Sequence, residues 1–486
     1  MRPQNLLIIM SDQHTQCVTG CYGHDIVSTS NLDRLAQAGT RFDNAYTPCP
    51  VCVPARGAFA TGKYVHQLGY WGNATPFNGS DPSWHSLLRD RGNQTVSIGK
   101  LHFRSDDDDN GFSDEQIAMH IIDGQGDLLG LIRDEDMPKR GASWKMAKMA
   151  GPGESIYNRY DRDITARAQS WLYEEAPKHT DKPWVLFVSL VAPHFPLTAP
   201  PEHFYRYYTQ DLPLPKLYDQ RHTPFHPYID TYRKTFTYDD FFETPDMLKR
   251  GQAGYFGLVW FMDEQVGKVL GALNAAGLQD NTRVVYTTDH GDNLGNRGLW
   301  GKSVMYEEAV AVPLIMSGPD IPVGGVVKTP ATILDLYPFI IGCAEARDAE
   351  TLPDDIPGTS VIDLINGAEP DRVAFSEYHG MRSQTGAFML RKEPHKLIHY
   401  VDYRPQFFNL EDDPDESNDL GCDPDAQPMI EALMAELNDI CDPAQIDAQA
   451  KHDQSIMLQQ SGGKEAVIAR GDLGFSVPPG IEPMFD

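Results

Sequence analysis

Several short apolar runs, each ending abruptly in polar residues, constrain the fold of this 486-residue chain most strongly. Residues 6–10 read Leu-Leu-Ile-Ile-Met, and residues 184–190 and 283–288 form comparable strand-like runs. Strands that are buried on both faces have such continuous sequences, and they occur mainly in parallel sheets covered by helices. We therefore predict an α/β fold with a large mixed, mostly parallel sheet sandwiched by helices.

Helical patterns separate the predicted strands. Amphipathic or capped segments with glycine or proline at their ends predict helices at residues 30–39, 82–91, 156–176, 245–276, 331–341, 427–440 and 443–460. Residues 111–155 show no clear pattern, which predicts a long irregular insertion near the cleft mouth. The aromatic-rich, proline-rich residues 198–244 predict a second insertion that covers the cleft like a lid.

The C-terminal part of the chain has a different pattern. Short runs separated by turn residues predict a small antiparallel sheet at residues 387–391, 396–401 and 406–410. A chain of this length also exceeds one ordinary domain. We expect an α/β domain over residues 1–371 and a C-terminal α+β subdomain over residues 372–486, with residues 373–378 closing the main sheet.

Composition and charge exclude some classes of protein. The formal net charge is −28, which makes nucleic acid an improbable partner because phosphate binding needs a basic face. The apolar run at residues 5–10 is too short for a signal peptide or a membrane span. Seven scattered cysteines indicate reduced thiols rather than a disulfide framework. We expect a cytoplasmic protein with no membrane partner.

Polar residues follow two of the predicted strands and are candidate metal ligands. Open α/β sheets bind their ligands beyond the carboxyl ends of the strands. If residues 6–10 and 283–288 form neighbouring strands, four side chains converge there: Asp12, Gln13, Asp289 and His290. Three oxygen ligands and one imidazole suit Ca²⁺, Mn²⁺ or Mg²⁺ better than structural zinc. Asp292 is a less favoured ligand, His14 is predicted to be structural, and a turn role is the alternative for Asp12.

A reactive cysteine is predicted in residues 50–63, which read Pro-Val-Cys-Val-Pro-Ala-Arg-Gly-Ala-Phe-Ala-Thr-Gly-Lys. Pro54 suits a first helical turn and Gly62 suits a helix end. Cys52 then lies at the helix N-terminus, where free N–H groups and the helix dipole favour an anion. Arg56 is one turn further on and stays charged. A cysteine considered alone would more often be a small buried residue. The prediction of a reactive Cys52 therefore depends on the surrounding residues as well.

Further basic residues follow other predicted strands. Lys100 and His102 follow a strand at residues 95–98, and alternation places both on one side of the extended chain. His194 lies between two prolines after residues 184–190, and these prolines restrict its direction. Two residues outside the strand ends complete the set: Lys302, after a glycine-rich segment, and Asn73, for which substrate binding and a turn role are about equally favoured. Taken singly, such residues are more often solvated or structural.

These motifs together resemble the sulfatase family of the alkaline-phosphatase-like superfamily. The Cys-x-Pro-x-Arg core at residues 52–56 matches its signature, with Ala55 where the familiar form has serine. Asp-Gln at residues 12–13 and Asp-His at residues 289–290 resemble the choline-sulfatase and phosphonate-monoester-hydrolase branch. Gly-Lys-x-His at residues 99–102 resembles sulfatases, whereas phosphonate hydrolases of this branch tend to carry Tyr and Thr there. The resemblance therefore favours sulfate esters, and it spans residues 5 to about 410.

The resemblance implies a mechanism and a set of site residues. A formylglycine-generating enzyme would oxidise Cys52 to formylglycine, whose hydrate attacks the sulfur of a sulfate monoester with Asp289 as candidate base. The implied metal ligands are Asp12, Gln13, Asp289, His290 and residue 52, with Ca²⁺ the favoured ion. The implied catalytic and substrate-binding residues are Arg56, Asn73, Lys100 and Lys302, with His194 as acid to the leaving group and His102 as base for sulfate release.

Other functions stay open on the sequence. The nearest is a phosphonate or phosphate ester hydrolase on the same scaffold, and a second is a thiol enzyme that uses Cys52 alone or a Cys49–Cys52 pair. A third is a non-catalytic binding protein on this fold.

The alcohol and the oligomeric state are also open. Choline, alkyl and aryl sulfates all fit, and candidates to line the alcohol pocket are Tyr70, Trp71, Trp300, His379 and Arg382. The tails of related enzymes often wrap a neighbouring subunit, so we expect a homo-oligomer, either a dimer or a tetramer.

Overall fold

A computed structural model describes residues 2–134, 137–345, 352, 353, 355–380 and 383–485. The strands are β1 (Asn5–Asp12), β2 (Gly39–Phe42), β3 (Ala45–Tyr46), β4 (Thr95–Lys100), β5 (Asp114–Met119), β6 (Gly151–Pro152), β7 (Val185–Pro193), β8 (Thr198–Ala199), β9 (Thr282–Thr288), β10 (Leu314–Ser317), β11 (Gly325–Val327), β12 (Ala331–Thr332), β13 (Ala374–Tyr378), β14 (Ala387–Lys392), β15 (His395–Tyr400) and β16 (Gln406–Asn409).

The α-helices are α1 (Ser30–Gln37), α2 (Cys52–Thr61), α3 (Val65–Leu68), α4 (Trp84–Asp90), α5 (Trp144–Lys148), α6 (Ile156–Glu174), α7 (Pro201–Tyr208), α8 (Pro227–Thr235), α9 (Pro245–Ala275), α10 (Glu307–Val310), α11 (Leu336–Ala344), α12 (Val361–Ile365), α13 (Gln427–Ile440), α14 (Pro443–Gln460) and α15 (Lys464–Arg470). Among the described residues, no helix combines the length and the apolar composition that crossing a membrane requires.

The main sheet has eight strands in the order β11-β2-β10-β9-β1-β7-β4-β5. Strand β1 is central and runs parallel to both β7 and β9, as its continuous apolar sequence predicts, whereas β10 is antiparallel to both of its neighbours. Alternate β1 residues face opposite sides: Leu7 and Ile9 pack in the cluster that contains residues of α6 and α9, and Leu6 and Ile8 pack in the cluster that contains residues of α2 and α11. The predicted α/β fold class is confirmed.

A second sheet of four antiparallel strands, β13-β14-β15-β16, lies towards the C-terminus. The prediction that residues 373–378 close the main sheet is wrong, because β13 pairs with β14 instead, for example Ala374 with Arg391. A short connection brings these successive strands together, so antiparallel pairing needs no long crossover. The predicted small sheet is confirmed, whereas the domain boundary at residue 371 stays a prediction.

Both predicted insertions contain regular elements. Residues 111–155 include β5, which extends the main sheet in parallel beside β4, so the prediction of a wholly irregular segment is wrong. Residues 198–244 include α7 and α8. The segment predicted as one helix at residues 331–341 begins with the strand β12 before α11. The four longest helices, α6, α9, α13 and α14, lie where the sequence predicts them.

Paired charges connect the small sheet to helix α10 and the segment before it. Lys396 of β15 is fully buried, and its Nζ lies 2.7 Å from carboxylate oxygens of both Glu307 and Glu416. Arg297 lies 3.1 Å from Glu308 and 3.9 Å from Glu416. Buried ions are tolerated when they are paired, so each of these charges depends on its partners.

We expect Lys396→Ala to destabilise the protein by about 3–5 kcal/mol, because it leaves buried Glu416 with only the more distant Arg297 as a cation, at 3.9 Å. Lys392→Ala is the matched control, since Lys392 pairs with Glu436 at a partly exposed position and should cost only about 0–1 kcal/mol. Urea unfolding of both variants measures the difference. Equal decreases in the free energy of unfolding for the two variants would show that burial of the ion pair is unimportant.

Candidate active site

The carboxyl ends of four neighbouring strands meet at one edge of the main sheet. Asp12 ends β1, Asp289 directly follows β9, Lys100 ends β4 and His194 directly follows β7. Strands β9, β1, β7 and β4 are adjacent and parallel, so their ends share the same edge. The sheet therefore brings together side chains that are far apart in the sequence, as open α/β sheets do.

Four side chains at this edge form a compact group of potential ligands. Ligand atoms of Asp12, Cys52, Asp289 and His290 all lie within 4.8 Å of one another, and all four residues are buried. Gln13 lies beside them: its backbone N–H donates to Asp289 Oδ1 at 3.1 Å. This donor set of carboxylates, an amide and an imidazole fits a hard or borderline divalent cation.

Asp292 holds Gln13 in place rather than joining this group. Its Oδ2 accepts a hydrogen bond from Gln13 Nε2, and its Oδ1 accepts from the backbone N–H groups of Leu294 at 2.7 Å and Gly301 at 3.2 Å. Gln13 Oε1 accepts from Lys302 Nζ at 2.8 Å. Asp292 thus positions both Gln13 and the loop that leads to Lys302. His14 is structural as predicted, with Nδ1 2.7 Å from the Tyr286 hydroxyl.

Cys52 begins helix α2 and lies next to a cationic side chain and two potential metal ligands. Its Sγ is 2.8 Å from Lys302 Nζ, 3.2 Å from His290 Nε2 and 3.7 Å from Asp12 Oδ1. Burial raises the pKa of the Cys52 thiol and Asp12 raises it further, whereas Lys302 lowers it, and the net shift is upward. A thiol with a raised pKa is protonated at neutral pH, which is the opposite of what a thiolate nucleophile needs.

Arg56 joins the two buried carboxylates. Its Nε donates to Asp289 Oδ2 at 2.8 Å, and its NH2 donates to Asp12 Oδ2 at 3.1 Å. Its NH1 donates to the Lys100 carbonyl at 2.8 Å and to Ser189 Oγ at 2.9 Å. The guanidinium is buried and its planar fork suits such multiple contacts. Arg56 therefore fixes the ends of β1 and β9 relative to helix α2.

The charges at this edge determine the ionisation of Asp12. Burial by itself raises the pKa of Asp12, but Lys100, His194, Arg56 and Lys302 lower it more, so the net pKa lies well below the usual range. Lys100 is fully buried and forms an ion pair with Asp12 Oδ2. Asp12 is consequently an anion in a cationic environment, as a metal ligand requires.

Two histidines face the same space. His102 has both ring nitrogens buried with no hydrogen-bond partner among the residues that the structure describes, and it adopts a positive φ of 56°. His194 Nδ1 lies 2.6 Å from the Phe195 carbonyl, and its Nε2 is 4.0 Å from Asp12 Oδ1. Burial lowers the pKa of both histidines, and Lys100 lowers that of His102 further while Lys302 lowers that of His194. Both rings are neutral until an anion reaches them.

A cavity of about 850 Å³, including its open mouth, exposes this group to ligands. Five of the predicted site residues line it: Cys52, Asn73, His102, His194 and Lys302. Asn73 Oδ1 also accepts from the Val53 N–H at 3.3 Å. The predicted residues are thus placed together, with Asp12, Gln13, Arg56, Lys100, Asp289 and His290 packed behind the cavity wall.

The residues predicted to line the alcohol pocket do not reach this cavity. They are Tyr70, Trp71, Trp300 and His379, and for all four the prediction is wrong. Trp71 Nε1 donates to Asp453 Oδ2 at 2.9 Å, and Trp300 stacks on Phe242 with ring centroids 3.9 Å apart. Closeness to a motif in the sequence does not determine the direction of a side chain. Arg382 lies outside the described residues.

Other side chains form the outer cavity wall instead. They come from the two insertions, helix α6 and the tail, and include Asp127, Arg140, Tyr157, Tyr232, Phe236, Tyr238, Asp472 and Phe475. The aromatic spacing at residues 232, 236 and 238 could have indicated one face of this wall. Residues 472–476 gave no such signal, and here they line the cavity of their own chain.

Comparison with known proteins identifies the family. A model of the sulfatase family matches residues 4–346, and a model described as N-sulphoglucosamine sulphohydrolase, C-terminal, matches residues 295–442. The chain belongs to the sulfatase family. It is a sulfuric ester hydrolase on the alkaline-phosphatase-like scaffold.

Several relatives and solved structures are similar over most of their length. A choline-sulfatase of Rhizobium meliloti (strain 1021) is 29% identical over 445 residues, covering 90% of this chain and 86% of the relative. Arylsulfatase K of Homo sapiens is 29% identical over 441 residues, covering 85% of this chain and 78% of the relative. The structure of the phosphonate monoester hydrolase of Agrobacterium radiobacter has a TM-score of 0.71 at 21% identity. The match covers 92% of this chain and 96% of the hydrolase, which shows a shared fold.

We expect Arg56→Lys to lower kcat/KM for an aryl sulfate by about 100-fold, because a lysine cannot contact both carboxylates and small displacements of a site are costly. The overall fold should be kept, as judged by circular dichroism. Arg41→Lys is the control, because Arg41 forms a partly exposed pair with Asp43. Retained activity in Arg56→Lys would contradict a positioning role for the guanidinium.

Proposed function

We propose that this enzyme hydrolyses a sulfate monoester to an alcohol and inorganic sulfate, with formylglycine derived from Cys52 as the nucleophile. A formylglycine-generating enzyme would be the maturation partner. The main support is the position of Cys52, which begins α2, opens to the cavity and has its Sγ 2.8 Å from Lys302 Nζ.

One divalent cation is part of this proposal. Asp12, Gln13, Asp289 and His290 would hold it together with residue 52, and the carboxylate and amide oxygens favour Ca²⁺, with Mn²⁺ and Mg²⁺ as alternatives. When bound, the ion supplies Lewis-acid stabilisation of negative charge on a reacting oxygen. Elemental analysis of the purified protein distinguishes the three ions.

The residues around Cys52 fit the first half of the reaction. Lys100 and Lys302 offset the charge of the sulfate group, and such preorganised charge is usually a large part of catalysis. Asp289 is the candidate base for the hydroxyl of residue 52, whose oxygen forms a bond to sulfur as the bond from sulfur to the alcohol oxygen breaks. His194 Nε2 would protonate that leaving oxygen, since an approaching anion raises the pKa of a nearby imidazole.

The second half returns residue 52 to the aldehyde, which then adds one water to regenerate the geminal diol. His102 would take the proton of the remaining hydroxyl, so that the carbonyl of residue 52 reforms and inorganic sulfate departs. Its ring nitrogens are buried, face the cavity and have no hydrogen-bond partner among the described residues. An imidazole with a lowered pKa is neutral and available as this base.

We expect mass spectrometry of the Cys52 peptide to show an aldehyde in place of the thiol in active enzyme. Cys52→Ala and Cys52→Ser should both lose sulfate ester hydrolysis, since neither can supply a geminal diol. Cys49→Ser is the control and should keep activity, whereas a Cys49–Cys52 redox pair would lose it. Full activity of a preparation whose Cys52 peptide is entirely unmodified would rule out the formylglycine mechanism.

A phosphonate or phosphate ester hydrolase is the alternative on the same scaffold. His102 lines the cavity, and Lys100 lies buried behind its wall in an ion pair with Asp12; this pair of basic residues supports sulfate as the substrate. We expect kcat/KM for 4-nitrophenyl sulfate to exceed that for 4-nitrophenyl phenylphosphonate by about tenfold or more, which corresponds to about 1.4 kcal/mol of transition-state stabilisation. The reverse order would favour the alternative.

The cellular location and the oligomeric state of the enzyme are proposed from its cysteines and its C-terminal tail. All seven cysteines are free, which suits the reducing cytoplasm. A homo-oligomer, either a dimer or a tetramer, stays a prediction that light scattering of the purified protein tests.

A further inference from the structure

The end of the chain forms part of the cavity wall. After helix α15 ends at Arg470, residues 472–476 run along the cavity, and all five line it. We call these five residues the C-terminal strap. They include no helix or strand, so their position depends on side-chain contacts with the rest of the chain.

One end of the strap is held by a buried ion pair. Arg140 Nε donates to Asp472 Oδ2 at 2.9 Å, and the same oxygen accepts from the Ala142 N–H at 3.0 Å. Arg140 NH2 donates to Asp472 Oδ1 at 2.5 Å, while its NH1 donates to Asp127 at 2.7 Å. Bidentate contacts between arginine and a carboxylate are strong and directional. The pair therefore fixes where the strap begins.

Gly474 allows the strap to lie close to the cavity wall. Its φ is 76°, and a Cβ at this position would lie only 2.8 Å from the Cβ of Ala142. Any other residue would meet both a backbone penalty and a steric contact. Gly474 thus permits the turn that directs the next residue inward.

Phe475 packs next to the rings that surround His194. Its ring centroid is 5.7 Å from that of Phe195 and 5.6 Å from that of Tyr157. The His194 ring stacks on Phe195 at 4.6 Å and meets Tyr157 edge-on at 5.9 Å. The Tyr157 hydroxyl also donates to the Ser476 carbonyl. Phe475 therefore belongs to the apolar wall on the His194 side of the cavity.

We propose that Phe475 determines specificity for the leaving group, and that the Arg140–Asp472 pair of the same chain holds it in place. This inference rests on the proposed function, in which His194 faces the departing alcohol. Phe475 contacts the apolar body of that alcohol, so it favours esters whose alcohol carries a ring over esters of very small alcohols. The strap provides this wall without contacting the sulfate group.

The test compares two leaving groups in the full-length enzyme. Phe475→Ala should lower kcat/KM for 4-nitrophenyl sulfate about tenfold and change that for methyl sulfate by less than about twofold, as expected when one apolar contact to a substrate is lost. Gly474→Ala should likewise lower the ratio of kcat/KM for 4-nitrophenyl sulfate to kcat/KM for methyl sulfate. Met484→Ala is the control, because Met484 is in the same tail and 75% exposed. Equal losses for both esters, or no loss, would overturn the proposal.

Failure of this inference can be separated from failure of the proposed function. A wild-type enzyme that cleaves neither sulfate contradicts the proposed function. If it cleaves phosphonate esters instead, the ratio between 4-nitrophenyl and methyl phosphonate esters still reports on Phe475. Thermal unfolding of each variant shows whether a lost activity reflects lost structure.

A pair of truncations tests whether the strap acts within its own chain. A chain ending at Gly471 should lose the preference for the ring-bearing ester, whereas a chain ending at Pro479 should keep it. The shorter chain is then produced together with full-length Cys52→Ala protein. If the mixture has the same specificity as the shorter chain alone, the strap acts in its own chain. Recovery of the preference would show a strap donated by another subunit and would overturn that part of the proposal.

Discussion

Two carboxylates buried side by side depend on the guanidinium between them. Asp12 and Asp289 end neighbouring parallel strands, and Arg56 donates to both while Lys100 pairs with Asp12. Without these cations the two acids would repel each other in an environment that water does not reach. The same contacts fix helix α2 against the sheet edge, so the position of Cys52 follows from the balance of charge.

This arrangement separates the reacting group from the surface that surrounds the substrate. Strand ends, helix α2 and the loop that carries Lys302 supply the charged groups around Cys52, and strands and helices keep most of these groups in place. The outer wall comes mainly from the insertions and the tail, including Phe236 of the second insertion and Phe475 of the strap. Enzymes that share this scaffold can therefore differ in the alcohol that they accept, and a shared fold does not identify it.

The small C-terminal sheet and the segment after it contact the larger domain through paired charges, Lys396 with Glu307 and Glu416 with Arg297. Beyond this sheet the chain continues through α13, α14 and α15 and returns to the cavity as the strap. The C-terminal part thus contributes to the outer wall of the site as well as to the packing of the fold. Changes far along the chain can alter the site for this reason.

The sequence by itself determined four adjacent strands of the main sheet, β9, β1, β7 and β4, and the polar residues at their ends. Buried parallel strands have a local apolar pattern, and parallel neighbours necessarily share an edge, so Asp12 and Asp289 could be placed together. It did not reveal the partner of β13 or the direction of Trp71. Only the tertiary structure decided these, and it also brought Phe475 to the cavity. Contacts between segments far apart in the sequence leave no local periodicity from which they could be predicted.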